Sequence, residues 1–312
     1  SGLKYRFPNR HSLASPVMEQ RVTISSDGLT LAGIVRTPDD LKPGEKRPVF
    51  LVLHGFGSNK DAGNVTGPCD LLSKLGYITL RFDFRGCGES GGEKGRLICL
   101  EQVSDTRNAL TFMAARPEVD AARIAVVGSS FGAAVAVYTA GVDKRVAAVI
   151  SSGGWGNGER KFQGQHAAPG AYDKFLAMLK EGREHRARTG QSLMVPRYDI
   201  VPIPGHLRDH LAKQSVQMFP AETAQSMFDF KAEDVIGNIA PRPVLLLHSS
   251  TDSVTPTEQS IEMFKRSSQP CDLHLFAETD HFMFAESNTR VRSVIYDWLD
   301  KYFPAQARAK AA

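Results

Sequence analysis

Long apolar runs, basic tracts and paired cysteines are all missing from this chain of 312 residues, and each absence removes a class of function. No stretch approaches the roughly 20 consecutive apolar residues that cross a bilayer. The opening SGLKYRFPNRHS lacks the apolar middle of a signal peptide. The expectation is a soluble, cytoplasmic protein without a membrane span. The 38 basic and 34 acidic residues give a formal charge of +4 and are mixed along the chain, without the basic runs that track a phosphate backbone. Nucleic acid is therefore not an expected partner. Four cysteines, Cys69, Cys87, Cys99 and Cys271, form no Cys-x-x-Cys pair and have no histidines at zinc spacing. Reduced thiols and no metal site are expected. Homo-oligomer formation is left open.

What is present is a core-forming composition, 42% hydrophobic, sufficient for one large α/β domain carrying an insertion. MEQRVTI and LAGIVRT read as two antiparallel edge strands. VFLVLH, YITLRFD, RIAVVG, VAAVISS, PVLLLH and DLHLFA are continuously apolar, as parallel strands covered on both faces are. CLEQVSDTRNALTFMAA and VRSVIYDWLDKYF repeat apolar residues at helical spacing. The pattern predicts a mostly parallel sheet built from residues 1–151 and 240–312. Residues 152–239 break the rhythm: AYDKFLAMLKEGREHRART and HLRDHLAKQSVQMF read as helices joined by Pro- and Gly-rich links, an inserted helical lid. The tail AQARAKAA is expected to fray.

The chemistry centres on GSSFG, the whole connection between the strand RIAVV and the helical AAVAVYTA. So tight a turn crowds the positions two before and two after its apex, and glycine is wanted at both. Gly128 and Gly132 bracket Ser130; Ser129 would need Val127 and Phe131 to be small. Ser130 is thus the candidate nucleophile, held at a helix N-terminus that favours a developing oxyanion. The bland alternative is a serine serving only as turn residue or helix cap. A serine hydroxyl needs a base, and the base needs an orienting acid. SSTDSVTP after PVLLLH offers Asp252, and ETDHFMF after DLHLFA offers His281, in the chain order such a site requires. Asp280 is the rival acid, disfavoured because an immediate neighbour's side chain tends to point away from the imidazole. The oxyanion donors expected are the Phe131 N–H and the Phe56 N–H, the latter in HGFGSNKD after VFLVLH. His54 is expected to brace that loop. Asp83 and Arg85 are expected to hold each other in a structural pair.

Taken together, HGFGSNK, RFDFRGCGESGG, GSSFG, TDSVTP and DHFMF resemble the α/β-hydrolase superfamily in its serine-hydrolase branch, over residues 17–303 or so. The wording of the first two motifs is most similar to feruloyl and cinnamoyl esterases and to S33-like or S9-like hydrolases. The resemblance implies a twisted, mostly parallel eight-stranded sheet with helices on both faces, an acyl-enzyme mechanism and no cofactor. Cys87 departs from the family's Arg-Gly-x-Gly-x-Ser loop, where His is commoner, and reads as a small buried residue. Ser130 at the elbow argues against dehalogenase and epoxide hydrolase chemistry, which need a carboxylate there.

The substrate expected is a small-molecule carboxylic ester with a small, medium or aromatic acyl group. Trp155, Phe162, Phe175, Tyr198 and Met218 are the candidate pocket residues of the lid. The excess of basic residues in REHRAR reads as a solvated helix face in preference to an anion-binding site. Two other readings stand beside the esterase: the same triad used on a C–C bond beside a ketone, an amide or a thioester, and a hydrolase-like fold that only binds ligand.

Overall fold

The computed structural model describes residues 18–284 and 288–306, so the opening segment and most of the tail lie outside the described residues. The chain runs β1 (Met18–Ser26), β2 (Leu29–Thr37), β3 (Arg47–Leu53), α1 (Gly63–Lys74), β4 (Ile78–Phe82), α2 (Cys99–Ala114), β5 (Val119–Ser129), α3 (Phe131–Val142) and β6 (Val146–Ser152). An insertion follows, with α4 (Gly158–Gln165), α5 (Ala171–Thr189), β7 (Met194–Pro196), α6 (Arg197–Ile200), β8 (Met218–Pro220) and α7 (Ala221–Asp229). The sheet then resumes with β9 (Val244–Ser249), α8 (Glu258–Arg266), β10 (Cys271–Phe276) and α9 (Thr289–Tyr302).

Eight strands form one sheet in the order β1-β2-β4-β3-β5-β6-β9-β10. β2 pairs antiparallel with both β1 and β4, and every neighbouring pair from β4 onward is parallel. Continuous apolar sequence follows directly from burial on two faces. In β3, Val49, Leu51 and Leu53 enter the core on one side, which also holds α2 and α3 residues such as Leu110 and Val135. Phe50 and Val52 enter the other, against Val65 and Leu72 of α1 and Ile295 and Trp298 of α9. The direction of winding reverses at β3, whose neighbours are β4 and β5. At such a switch point the loops leaving adjacent strands part and open a crevice at the carboxyl edge, which sets the loop after β3 beside the turn after β5.

Within the insertion α5 spans the residues its periodicity predicts, whereas HLRDHLAKQSVQMF is not a helix. It forms a 3₁₀ turn over Gly205–His210 and then extended chain ending in β8, which pairs with β7. The backbone explains the difference: the Val216 N–H donates to the Gly57 carbonyl, and the Gln217 carbonyl accepts from the Arg197 N–H, so neither group is left for a helical ladder. Two short turns, Ala232–Asp234 and Ile236–Asn238, return the chain to α3.

A buried cation sits in this insertion. The Lys161 ammonium is fully enclosed, finds no hydrogen-bond acceptor among the described residues, and lies 3.8 Å from the Phe162 ring centre and 4.6 Å from that of Trp155. Burial pushes its pKa from the usual 10.5 down to about 7. A base whose folded pKa is lowered binds fewer protons folded than unfolded, so its cost is complete below about pH 7 and is relieved as pH rises toward 10.5. Lys161→Met should therefore stabilise the protein by on the order of 4 kcal/mol at pH 6 and progressively less above pH 7. Denaturant titrations of both proteins between pH 6 and pH 9 check this; an unchanged difference across that range contradicts it.

Candidate active site

The elbow between β5 and α3 has the crowding its glycines predict. A β-carbon on Gly128 would overlap the Gly132 backbone, and one on Gly132 would lie 2.5 Å from the His54 carbonyl oxygen and 2.6 Å from that of Leu53. Ser130 takes φ 54° and ψ −115°, a conformation that strains any residue with a β-carbon and occurs where the surroundings impose it. Its N–H donates to the Ser152 carbonyl at 2.8 Å, which ties the apex to the end of β6. Ser129 is the last residue of β5, in register with Ser152 and outside the strained position.

At the ends of β9 and β10, His281 Nδ1 lies 2.8 Å from Asp252 Oδ2. A carboxylate only accepts, so Nδ1 carries the proton and Nε2 is left as the basic nitrogen. Asp252 is fixed from three more directions. Its Oδ1 accepts the N–H groups of Val254 and Thr255, both at 2.8 Å, and its Oδ2 lies 3.2 Å from His248 Nε2. Burial alone would raise this carboxyl, but the two imidazoles and their hydrogen bonds outweigh it and hold Asp252 well below the usual carboxylate range. His248 escaped the sequence reading. It is fully buried, Nδ1 accepts from Ser260 Oγ at 2.6 Å, and Nε2 faces the Thr255 carbonyl at 3.0 Å as well as Asp252. The histidine that closes PVLLLH gave no signal, because one histidine at the end of an apolar strand does not break its pattern.

Asp280 has other partners. Its carboxylate accepts from the Ser253 N–H and hydroxyl and from the His281 N–H, a clip that holds the two loops together. His54 also matches its expectation: Nε2 accepts the Phe84 N–H at 3.1 Å, so Nδ1 donates to the Gly55 carbonyl at 2.8 Å. Burial lowers its pKa and keeps it neutral. The pairing expected of Asp83 and Arg85 is corrected. Arg85 binds Asp105 and Asp27, while Asp83 receives the Lys60 ammonium and the N–H groups of Lys60 and Glu89. Asp105 on α2 draws the guanidinium one way with several hydrogen bonds and Lys60 draws the Asp83 carboxylate another, so the two side chains meet different neighbours. Cys87 is buried, and burial pushes its thiol up to about 12, so it is a packed thiol and not a nucleophile.

Ser130 and His281 line one narrow cavity of about 30 Å³ with Gly55, Phe56, Ser58, Asn64 and Phe282, and with Arg197, Val201, Ile203, His210 and Leu211 of the insertion. That is room for about one water molecule. Phe131 opens α3, where an amide has no carbonyl one turn back to bond. The five lid residues expected in the pocket do not line this cavity. Trp155 packs on Phe131 and Phe230, Phe162 stacks on Phe175 at 4.4 Å, Tyr198 lies under the Arg208 guanidinium, and Met218 is 45% exposed. Phe162, Phe175 and Tyr198 pack within the insertion and Trp155 packs between it and α3, and aromatic sequence alone does not distinguish packing from pocket. Among the described residues no cluster of His, Cys, Asp and Glu is arranged to hold a metal ion, and no helix is long and apolar enough to cross a membrane.

Residues 44–288 match the family described as Serine aminopeptidase, S33. The chain belongs to this α/β-hydrolase family. The solved structure of the hypothetical protein PA2218 from Pseudomonas aeruginosa aligns over 96% of this chain and 100% of its own, with 22% identity and a TM-score of 0.79. The polyketide transferase grgF of a Penicillium species is 26% identical over 275 residues, 82% of this chain and 86% of that protein. Est1E from Butyrivibrio proteoclasticus, solved with ferulic acid bound, aligns over 90% of this chain and 100% of its own at 18% identity and a TM-score of 0.63. These structural likenesses speak for a shared fold.

Proposed function

We propose that this hydrolase cleaves carboxylic esters through an acyl-enzyme on Ser130. The observation that carries the reading is the strained apex serine sharing a cavity with His281, whose Nδ1 is fixed by a buried, ionised carboxylate. In this mechanism the Ser130 proton passes to His281 Nε2 as Oγ bonds to the substrate carbonyl carbon. Asp252 stabilises the imidazolium. The Phe56 and Phe131 N–H groups hold the oxyanion, and collapse expels the alcohol with the proton from Nε2. Water then repeats the sequence and frees the acid. Residues 152–239 act as a lid: five of the residues lining the cavity come from them, and a space of about 30 Å³ requires the lid to move before an acyl group enters. Small to medium acyl groups suit this enclosure best. Four buried, unpaired thiols fit a reducing, cytoplasmic setting.

A second reading, acyl transfer from a thioester, is favoured by the likeness to a polyketide transferase, and it uses the same residues with a different leaving group and acceptor. A panel of p-nitrophenyl esters from acetate to cinnamate, run beside N-acetylcysteamine thioesters, separates the two by their ratio of kcat/KM. The ester reading expects turnover of the short esters, with added hydroxylamine diverting part of the acyl group to hydroxamate. Absence of turnover across the whole panel, with no labelling by a fluorophosphonate, contradicts both and leaves a binding protein.

A further inference from the structure

The oxyanion loop is held from outside the sheet by the insertion, with the Arg197 side chain at the centre of the contact. Arg197 is 2% exposed, yet among the described residues no carboxylate pairs with it. Its guanidinium is spent on main-chain carbonyls: Nη2 donates to the Phe56 carbonyl and Nε to the Val216 carbonyl, each at 2.8 Å. The group also lies over the rings of Phe56 and Phe219, 5.1 and 5.4 Å from their centres, and those two rings stack at 4.3 Å. From the other direction, the Val216 N–H donates to the Gly57 carbonyl at 2.8 Å. Gly57 has φ 56°, and a β-carbon there would stand 2.6 Å from Arg197 Nη2 and overlap the Phe219 ring. Loop and insertion are thus fitted to each other at Phe56 and Gly57.

Burying a guanidinium without a counter-charge is costly, and burial lowers its pKa to about 10. A methionine or leucine would fill the space at no such cost. What an apolar side chain lacks is the rigid fork that grips two carbonyls at once. We propose that Arg197 is a positioning residue for the oxyanion hole, and that through it the hole is complete only while the insertion is seated. The inference rests on the serine-hydrolase reading above. The Phe56 N–H shares its peptide plane with the Gly55 carbonyl, which accepts from His54 Nδ1 at 2.8 Å and the Ser58 N–H at 3.1 Å, while Arg197 holds the following plane at the Phe56 carbonyl and, with Phe219, clamps the ring, so the insertion fixes the far side of the residue that carries the N–H. Oxyanion donors act only within about 2.7–3.1 Å of the charge, and displacements near 1 Å are felt as about hundredfold losses. Arg197 also lines the cavity that must open for substrate. Displacing the insertion at Arg197 therefore withdraws this support from the loop.

The test compares wild type with Arg197→Lys, Arg197→Ala and Phe219→Leu, with active sites counted by fluorophosphonate titration. Arg197→Lys should lower kcat per active site by about 30- to 100-fold and change KM less than about threefold. Affinity for an aryl boronic acid, which places an oxyanion in the same hole, should fall in parallel, and the pH midpoint of kcat should not move. Millimolar guanidinium should restore part of the Arg197→Ala loss. If the variants keep wild-type kcat per active site and lose only thermal stability, Arg197 is packing and the inference is wrong; if Arg197→Ala does not fold, the Arg197→Lys and Phe219→Leu results decide the same question. A wild-type protein that neither turns over esters nor takes the label on Ser130 would instead remove the underlying serine-hydrolase reading.

Discussion

Ser130→Ala is expected to lower ester turnover by on the order of 10⁶-fold, whereas Ser129→Ala should cost no more than about tenfold. The contrast follows from the backbone. Ser130 alone occupies the strained apex, where φ 54° lifts its Cβ off the sheet edge and into the cavity shared with His281. Ser129 completes β5 opposite Ser152 and takes no part in that cavity. Alanine keeps a β-carbon and hence the same strain, so the melting temperature of Ser130→Ala should stay close to wild type. Steady-state kinetics on a p-nitrophenyl ester, with calorimetry of each variant, check both halves. Equal losses in the two serine variants would mean that the elbow as a whole, and not one hydroxyl, is what the reaction needs.

Asp252→Asn should lower kcat by about 10⁴-fold, as expected when an imidazole is held in the wrong tautomer. The asparagine oxygen retains the Val254 and Thr255 N–H groups, which turns the amide nitrogen toward His281 Nδ1. Nδ1 must then accept, Nε2 carries the proton, and no basic nitrogen is left for Ser130. Asp280→Asn should cost about tenfold or less in turnover and lower the melting temperature, because it loosens the clip between Ser253 and the His281 backbone without touching the ring. The reverse ranking would assign the orienting role to Asp280.

Sequence carried the sheet and the Ser130, Asp252 and His281 geometry well, because each leaves a local mark. Buried parallel strands are apolar at every position, the elbow needs glycine at two fixed offsets, and the strand-end loops fix the chain order. Asp280 was separable from Asp252 because adjacent side chains diverge. What stayed out of reach is set by contacts between distant segments. His248 and Arg197 look like an ordinary strand residue and an ordinary charged residue, and their roles appear only when β9 meets its loop and the insertion meets Phe56. The same holds for Arg85, whose partner Asp105 stands on α2. HLRDHLAKQSVQMF has helical propensity, but pairing with Gly57 and Arg197 overrides it. The five lid residues show how burial and pocket share one signature: Phe162 and Phe175 are apolar because they stack on each other.

The most direct test of the central assignment is peptide mapping by mass spectrometry after reaction with a fluorophosphonate, with and without a competing ester. The serine-hydrolase account predicts one adduct per chain on Ser130, slowed by the ester and absent from the Ser130→Ala protein. An adduct on Ser129, or a fully folded protein that takes up no label, contradicts it.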